Sequence, residues 1–206
     1  MSESVEYKIV EKIKNHKRGK IFFADNFALL GSADSIRQAL QSLQKSGLLV
    51  RVATGVYCYP KINKFEWLDE KYFLPSIDEI AHAIAKRDKI RIVPTGEYAL
   101  NALGLSTQVV MNVVYITDGA ARRIKIDDGK GILFKHTSEV RRLSFNSELL
   151  MLIDCSLREI GENKVRPNEL EIIKEKLKYV TQKDIDRDID LMPIWIREIV
   201  LKLWNS

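Results

Sequence analysis

The chain has 206 residues, of which 46% are apolar and 30% are charged, as in a globular protein of one large or two small domains. No apolar run approaches the roughly 18 residues that a membrane span requires, and the polar N-terminal segment MSESVEYKIVEK is unlike a secretory signal. We therefore expect a cytoplasmic protein with no membrane association, in which Cys58 and Cys155 are free thiols.

The formal charge is divided unevenly along the chain. Residues 1–62 contain 10 Lys and Arg against 5 Asp and Glu, whereas residues 63–206 contain 23 of each. The whole excess of +5 therefore lies in the first third, which indicates that only this part meets a polyanion. The alternative is that such an excess is unremarkable for a small domain.

The first 62 residues predict helices followed by a hairpin. In chain order we predict a helix Val5–Lys14, an extended piece Ile21–Phe23, a short helix Ala24–Leu30, a helix Ala33–Ser46, and strands Leu48–Val52 and Val56–Tyr59. Gly31-Ser32 separates the second and third helices, Gly47 stops the third, and Thr54-Gly55 turns the hairpin. This order of elements is that of a winged helix-turn-helix.

Alternation in the second strand predicts which of its side chains are buried. Tyr57 and Tyr59 alternate with Val56 and Cys58, so one pair should face the core. We interpret Cys58 as a small buried apolar residue and not as a redox group.

The helix Ala33–Ser46 is the predicted recognition helix. If Ile36, Ala39, Leu40 and Leu43 face inward, the outer face is polar and suits a DNA groove, since Arg pairs with guanine and Gln with adenine. The candidate DNA-binding residues are Ser35, Arg37, Gln38, Gln41 and Lys45 on this helix, Arg51 and Thr54 on the hairpin, and Lys61 at its base. The alternative is a solvated helix face that happens to be polar.

Residues 63–74 form an aromatic linker with Phe65, Trp67, Tyr72 and Phe73, and residues 75–206 are predicted to be a mixed sheet with helices that ends in a helical tail. The fold class is therefore α+β. The last predicted helix, Pro193–Trp204, has more apolar positions than one amphipathic stripe, so part of it should be covered from a second side, by the domain core or by a protein partner.

The segment GKIFFADNFALLGSADSIRQALQSLQKSGLLVRVATGVYCYPK resembles the N-terminal winged-helix domain of AbiEi-type antitoxins. The features that carry the resemblance are the entry Lys20–Phe23, the run Ser35–Leu40, Gly47, the wing Gly55-Val56-Tyr57 with Tyr59-Pro60, and further on Thr95-Gly96, Tyr115–Gly119 and Arg123–Ile126. It spans most of residues 1–145. The resemblance implies a repressor of its own operon that neutralises a toxin with a nucleotidyltransferase fold, encoded by a neighbouring gene.

The patterns that would indicate catalysis or metal binding are incomplete. The alternating Asp184, Asp186, Asp188 and Asp190 lack the glycine and glutamate of an EF-hand loop, so we interpret them as a solvated helix start. Asp154 with Glu162 and Lys164 is only a weak nuclease pattern, and the three histidines have no ligand partner at metal spacing. We therefore expect no enzyme, no cofactor and no metal.

The leading prediction is a DNA-binding transcriptional repressor that is the antitoxin of a type IV-like toxin–antitoxin system. It would bind double-stranded DNA at its own promoter, on an inverted repeat, either as a stable homodimer or by cooperative binding of two copies. The alternative is a plain winged-helix regulator whose second domain dimerises or senses a ligand. A third class is an accessory subunit of a nucleic-acid enzyme.

Overall fold

The computed structural model describes residues 4–63, 71–108, 110–126 and 129–206. The chain is an α+β protein, as the sequence predicts. It divides into two compact units: the first comprises residues 1–84 together with 124–130, and the second comprises 85–123 together with 131–206.

Three helical segments open the first unit. They are α1 (Val5–Lys14), a 3₁₀ helix (Ala24–Leu30) and α2 (Ala33–Lys45). Ser4 caps α1 and Ser32 caps α2, because each side-chain oxygen accepts a hydrogen bond from a backbone N–H three residues later. A Cβ on Gly31 would lie 2.7 Å from Val5 Cγ2, so glycine lets α1 pass close to the start of α2.

These helices pack on a three-stranded antiparallel sheet. Strand β1 (Ile21–Phe23) pairs with β3 (Val56–Cys58), which also pairs with β2 (Val50–Ala53). The sheet order is therefore β1-β3-β2, with β3 in the centre. The core between the helices and this sheet consists of Ile9, Ile13, Phe22, Phe27, Ile36, Ala39, Leu40, Leu43, Leu49, Tyr57 and Tyr59.

The pair of β3 side chains that faces the helical core is Tyr57 and Tyr59, so the expectation that one pair does so is confirmed. Val56 and Cys58 are buried as well, at 2% and 0% exposed, and the interpretation of Cys58 as a small buried residue is also confirmed. Glu79 lies close enough to contribute to the raised pKa of the Cys58 thiol, which burial and then this carboxylate bring to about 11.

The first unit continues past residue 62. Strand β4 (Lys61–Ile62) pairs with β5 (Tyr72–Phe73), and α3 (Ile77–Asp88) begins with a capping box between Ser76 and Glu79. An isolated bridge joins Ala53 to Ile126 in the same unit. Phe65 and Trp67 of the predicted linker lie outside the described residues, and the predicted domain limits at 62 and 75 stay a prediction.

The second unit contains most of a four-stranded mixed sheet and a short helix. The strands are β6 (Ile92–Thr95), β7 (Asn112–Thr117), β8 (Arg122–Lys125) and β9 (Gly131–His136), and the helix is α4 (Glu97–Leu103). Their order is β6-β7-β9-β8, with β6 and β7 antiparallel and β7 and β9 parallel. Asp127 and Asp128 of the predicted turn before β9 are outside the described residues.

Four helices and two 3₁₀ turns complete the second unit. They are a 3₁₀ turn Val140–Leu143, α5 (Glu148–Ile160), α6 (Pro167–Leu177), α7 (Gln182–Asp188), a 3₁₀ turn Ile189–Leu191 and α8 (Ile194–Trp204). One core cluster joins α5, α6, α7 and α8. Within it Ile153, Ile173, Ile196 and Val200 are fully buried.

The core of the second unit covers most of α8. Ile196 and Val200 are buried, and Trp195, Ile199, Leu203 and Trp204 pack against the same cluster. Ile194, at the first position, remains 73% exposed. The apolar excess of this helix is thus covered by the chain itself, and α8 alone does not require a protein partner.

Candidate nucleic-acid interface

The outer face of α2 carries the predicted DNA-binding side chains. Arg37, Gln38, Gln41 and Lys45 are exposed, while the inward stripe is at most 5% exposed. This separation follows from the helical period, because the four apolar residues recur three or four positions apart. The exposed side of α2 therefore offers guanidinium, amide and ammonium groups on a rigid element.

Two of the predicted helix residues are already engaged within the helix. The Ser35 hydroxyl donates to the backbone oxygen of Ser32 at 2.9 Å, so this half-buried side chain belongs to the helix start. Arg37 Nη2 lies 2.9 Å from Asp34 Oδ1 in an ion pair with both side chains exposed, at 68% and 80%. An exposed pair of this kind contributes about 0–1 kcal/mol, so a phosphate or base can displace it.

The hairpin tip brings Arg51 and Thr54 together. Gly55 adopts φ +72°, which a residue with a side chain rarely tolerates, and this closes the turn between β2 and β3. Arg51 Nη2 donates to Thr54 Oγ1 at 3.2 Å. One guanidinium and one hydroxyl are therefore presented at the same end of the sheet.

Lys61 lies at the opposite end of the hairpin. A Cβ on Gly19 would come within 2.8 Å of Lys61 Cε, so the lysine stem lies over the turn between α1 and β1. In that turn Arg18 stacks over the Tyr59 ring at 4.5 Å and donates to the Pro60 oxygen at 3.0 Å. With Lys17 and Lys20, both exposed, these residues form a basal cluster.

The eight predicted residues therefore lie in three places: the face of α2, the hairpin tip and the basal cluster. Lys61 follows Val56 by five residues, about 17 Å of extended chain, so tip and base are far apart. Sequence reasoning did not include Lys17, Arg18 and Lys20. The signal for them was the dense basic run between Lys14 and Lys20.

The cysteines and two of the histidines considered for metal or redox chemistry are buried or contact the backbone. Among the residues that the structure describes, no group of three or more His, Cys, Asp and Glu side chains is arranged to hold a metal ion. Cys58 and Cys155 are both free thiols, as predicted, and both are buried, which was predicted for Cys58 alone. His16 and His136 each lie within 3.0 Å of a backbone oxygen. In the described ranges, no helix has the length and apolar character needed to cross a bilayer.

The fold and this surface define an α+β protein with a basic, polar helix face in its first unit. Residues 8–185 match the profile of a protein family, and the chain belongs to that family, which is described as "Family of unknown function (DUF6088)". The match runs from α1 into α7 and so includes parts of both units. No curated protein and no solved structure matches the chain.

Proposed function

We propose that the first unit is a winged helix that binds double-stranded DNA, and that the protein represses its own promoter and is the antitoxin of a nucleotidyltransferase-like toxin. The observation that carries DNA binding is the face of α2. Its outward residues after Asp34 are polar or basic, and its inward residues are apolar and buried. One α-helix fits the major groove of B-form DNA, where Arg and Gln read base edges.

The arrangement around α2 supports the winged-helix assignment. A helix, a strand, a second short helix and a two-residue turn precede α2, and a hairpin follows it. The strand β1 joins that hairpin through β3, which fixes the hairpin beside the helices. In this proposal α2 enters the groove, while Arg51 and Thr54 at the tip contact phosphate or the minor groove.

Different residues have different tasks in this proposal. Arg37 and Gln38 read bases, whereas Lys45, Arg51 and Lys61 contact phosphates. Arg37→Ala should therefore cost about 1–3 kcal/mol at the operator and relax specificity at one base position. Lys61→Ala should weaken binding to all sequences alike and reduce the slope of log affinity against log salt by about 1.

A mobility-shift titration of the full chain on its promoter fragment and on scrambled DNA, at several salt concentrations, measures both effects. Lys183→Ala is a control, since this exposed lysine lies in α7 of the second unit. Equal weakening of promoter and scrambled DNA by Arg37→Ala would contradict base reading. Unchanged binding by both first-unit variants would contradict the α2 interface altogether.

The antitoxin role rests on the resemblance to AbiEi-type antitoxins across most of residues 1–145. It predicts a neighbouring gene with a nucleotidyltransferase fold whose expression stops growth. The full chain should restore growth when co-expressed from an unrelated promoter. Arg37→Ala should restore it as well, because DNA reading and neutralisation use different surfaces. If expression of the neighbouring gene does not stop growth, the antitoxin proposal is wrong and only the proposed repressor function remains.

The second candidate is a regulator whose second unit binds a small ligand or makes dimers. The observation in its favour is a pair of cavities in the second unit that share two arginines. This candidate keeps the DNA-binding role of α2 and differs in what the second unit recognises.

A further inference from the structure

Two cavities of the second unit meet at Arg142 and Arg158. The first, of about 380 Å³, lies between the 3₁₀ turn Val140–Leu143, α5 and the segment that precedes α8. The second, of about 460 Å³, shares both arginines and has Trp195 in its wall. Both volumes are in the range of small-molecule sites. We call the two cavities together the arginine cleft.

The Arg158 side chain is fixed by an ion pair with a buried aspartate. Its Nε donates to Asp154 Oδ2 at 2.7 Å, one turn earlier on α5, and the Asp154 side chain is 0% exposed. This contact uses the Nε of the guanidinium. Its terminal nitrogens, Nη1 and Nη2, form no hydrogen bond with any described residue, and Arg158 lines both cavities. Asp154 therefore acts as a positioning residue for a guanidinium that has donors left over.

The guanidinium of Arg142 acts on the buried Asp154 carboxyl and on the Cys155 thiol, and it opposes the rise in the pKa of each. It forms no ion pair within the described part of the chain, and its Nε is buried with no hydrogen-bond acceptor. Its neighbour is the Cys155 thiol, which stays neutral because burial raises its pKa to about 12. A buried donor left without an acceptor costs about 1–3 kcal/mol.

The charge of the cleft differs between its two ends. Arg141, Arg142 and Arg158 line the first cavity with one carboxylate, Glu139, and the buried Asp154 lies beneath Arg158. The second cavity has Glu159 and Glu162 beside the same Arg142 and Arg158, and the indole of Trp195 supplies an aromatic surface. An anionic group is therefore favoured in the first cavity, and a neutral ring in the second.

We propose that the arginine cleft binds a small phosphate monoester, with the phosphate on Arg141, Arg142 and Arg158 and the organic part toward Trp195. Three guanidinium groups match a dianionic phosphate, whose oxygens accept paired hydrogen bonds from Arg. A monocarboxylate would leave most of these donors unused. The proposal concerns the second unit and does not depend on DNA binding by the first.

The test is isothermal titration of the full-length protein with adenosine monophosphate, inorganic phosphate and malonate at matched ionic strength. We expect saturable binding of the nucleotide, weaker binding of phosphate and the weakest binding of malonate. Arg142→Gln should lower nucleotide affinity at least tenfold. Arg142 forms no salt bridge among the described residues and its Nε has no acceptor, so the ligand-free melting temperature of this variant should stay close to that of the wild type.

Two control variants separate this site from other surfaces. Arg187→Gln removes an exposed arginine of α7 and should bind the nucleotide like the wild type. Arg37→Ala should also bind it normally, and a loss there would place the nucleotide on α2 and overturn the proposal. Malonate binding as tight as that of the phosphate compounds would overturn the phosphate assignment. No saturable binding at millimolar nucleotide would overturn the site itself.

Discussion

At the scale of single residues, the ion pair between Asp34 and Arg37 restrains the side chain that we propose reads a base. Asp34 also places a negative charge on the DNA-facing helix. Asp34→Asn should tighten operator binding about two- to fivefold, because it frees Arg37 and removes repulsion of phosphate. A mobility-shift titration measures this, with Glu11→Gln on α1 as a control of equal charge change. Weaker binding by Asp34→Asn would show that the pair orients Arg37 for its contact.

The sequence predicted which side chains are buried or exposed where this depends on the period of a single helix. The buried stripe of α2 follows from its period, and the exposure of Arg37, Gln38 and Gln41 follows with it. The engagement of Ser35 in the helix start, where it bonds Ser32, was not predicted. The arginine cleft was also not predicted, because Arg142 and Arg158 meet only through the packing of the 3₁₀ turn against α5.

At the scale of elements, Asp188 connects α7 to the start of α5. Its carboxylate is fully buried and accepts hydrogen bonds from the backbone N–H groups of Asn146 and Ser147 and from Asn146 Nδ2, at 2.7–3.1 Å. The interpretation of this aspartate as part of a solvated helix start is therefore wrong. Only the folded second unit brings residues 146 and 188 together.

Asp188→Ala should lower the free energy of unfolding by about 2–3 kcal/mol, because charged hydrogen bonds are lost and their donors are left unpaired. Urea unfolding followed by circular dichroism measures the change. Asp186→Ala is the matched control, since Asp186 is exposed and bonds only Gln182 among the described residues. Similar destabilisation by both variants would mean that the helix itself, and not the link to α5, needs these carboxylates.

Local signals predicted the helices, but the sheets needed information that the sequence pattern does not contain. Ser76 with Glu79 and Thr181 with Asp184 form capping boxes, a pattern that sequence can show because each involves residues three apart. The order β6-β7-β9-β8 puts β9 between two strands that precede it in the chain. The same limit applies to β3, because the burial of both of its faces depends on residues distant in the chain.

At the scale of the whole molecule, acid should affect the two units unequally. The described carboxyls with a lowered pKa all lie in the second unit. Arg87 and Arg122 lower the pKa of Asp88, Arg91 that of Asp118 and Thr181 that of Asp184, while Arg166 outweighs the effect of burial on Glu169. A lowered folded-state pKa contributes stability above the unfolded value, near pH 4, that is lost as pH falls further.

Burial raises the pKa of Asp154 despite Arg158. Protonation of this carboxyl therefore favours the folded state as pH falls, which offsets part of the stability that the other carboxyls lose. We expect second-unit peptides to lose amide-exchange protection at a higher pH than first-unit peptides between pH 5 and 3. Mass spectrometry with correction for intrinsic exchange rates measures this. Asp118→Asn should reduce the difference, since it removes one of the titrating contacts. Earlier loss of protection in the first unit would contradict the assignment.

Two copies of the protein should occupy one operator. The proposed phosphate contacts of one copy are few, since three residues are assigned to phosphates: Lys45, Arg51 and Lys61. If each neutralises one phosphate, one copy gives a salt slope of about −2.7 and two copies about −5.4.

An inverted repeat with half-sites one helical turn apart, about 34 Å, places one α2 in each of two successive major grooves. We therefore expect a slope of about −5.4, two proteins per duplex by native mass spectrometry and two protected half-sites in a footprint. Inserting five base pairs between the half-sites turns one of them to the opposite side of the duplex and should abolish cooperative binding. One protected half-site, one protein per duplex and a slope of about −2.7 would show instead that a single copy binds the operator.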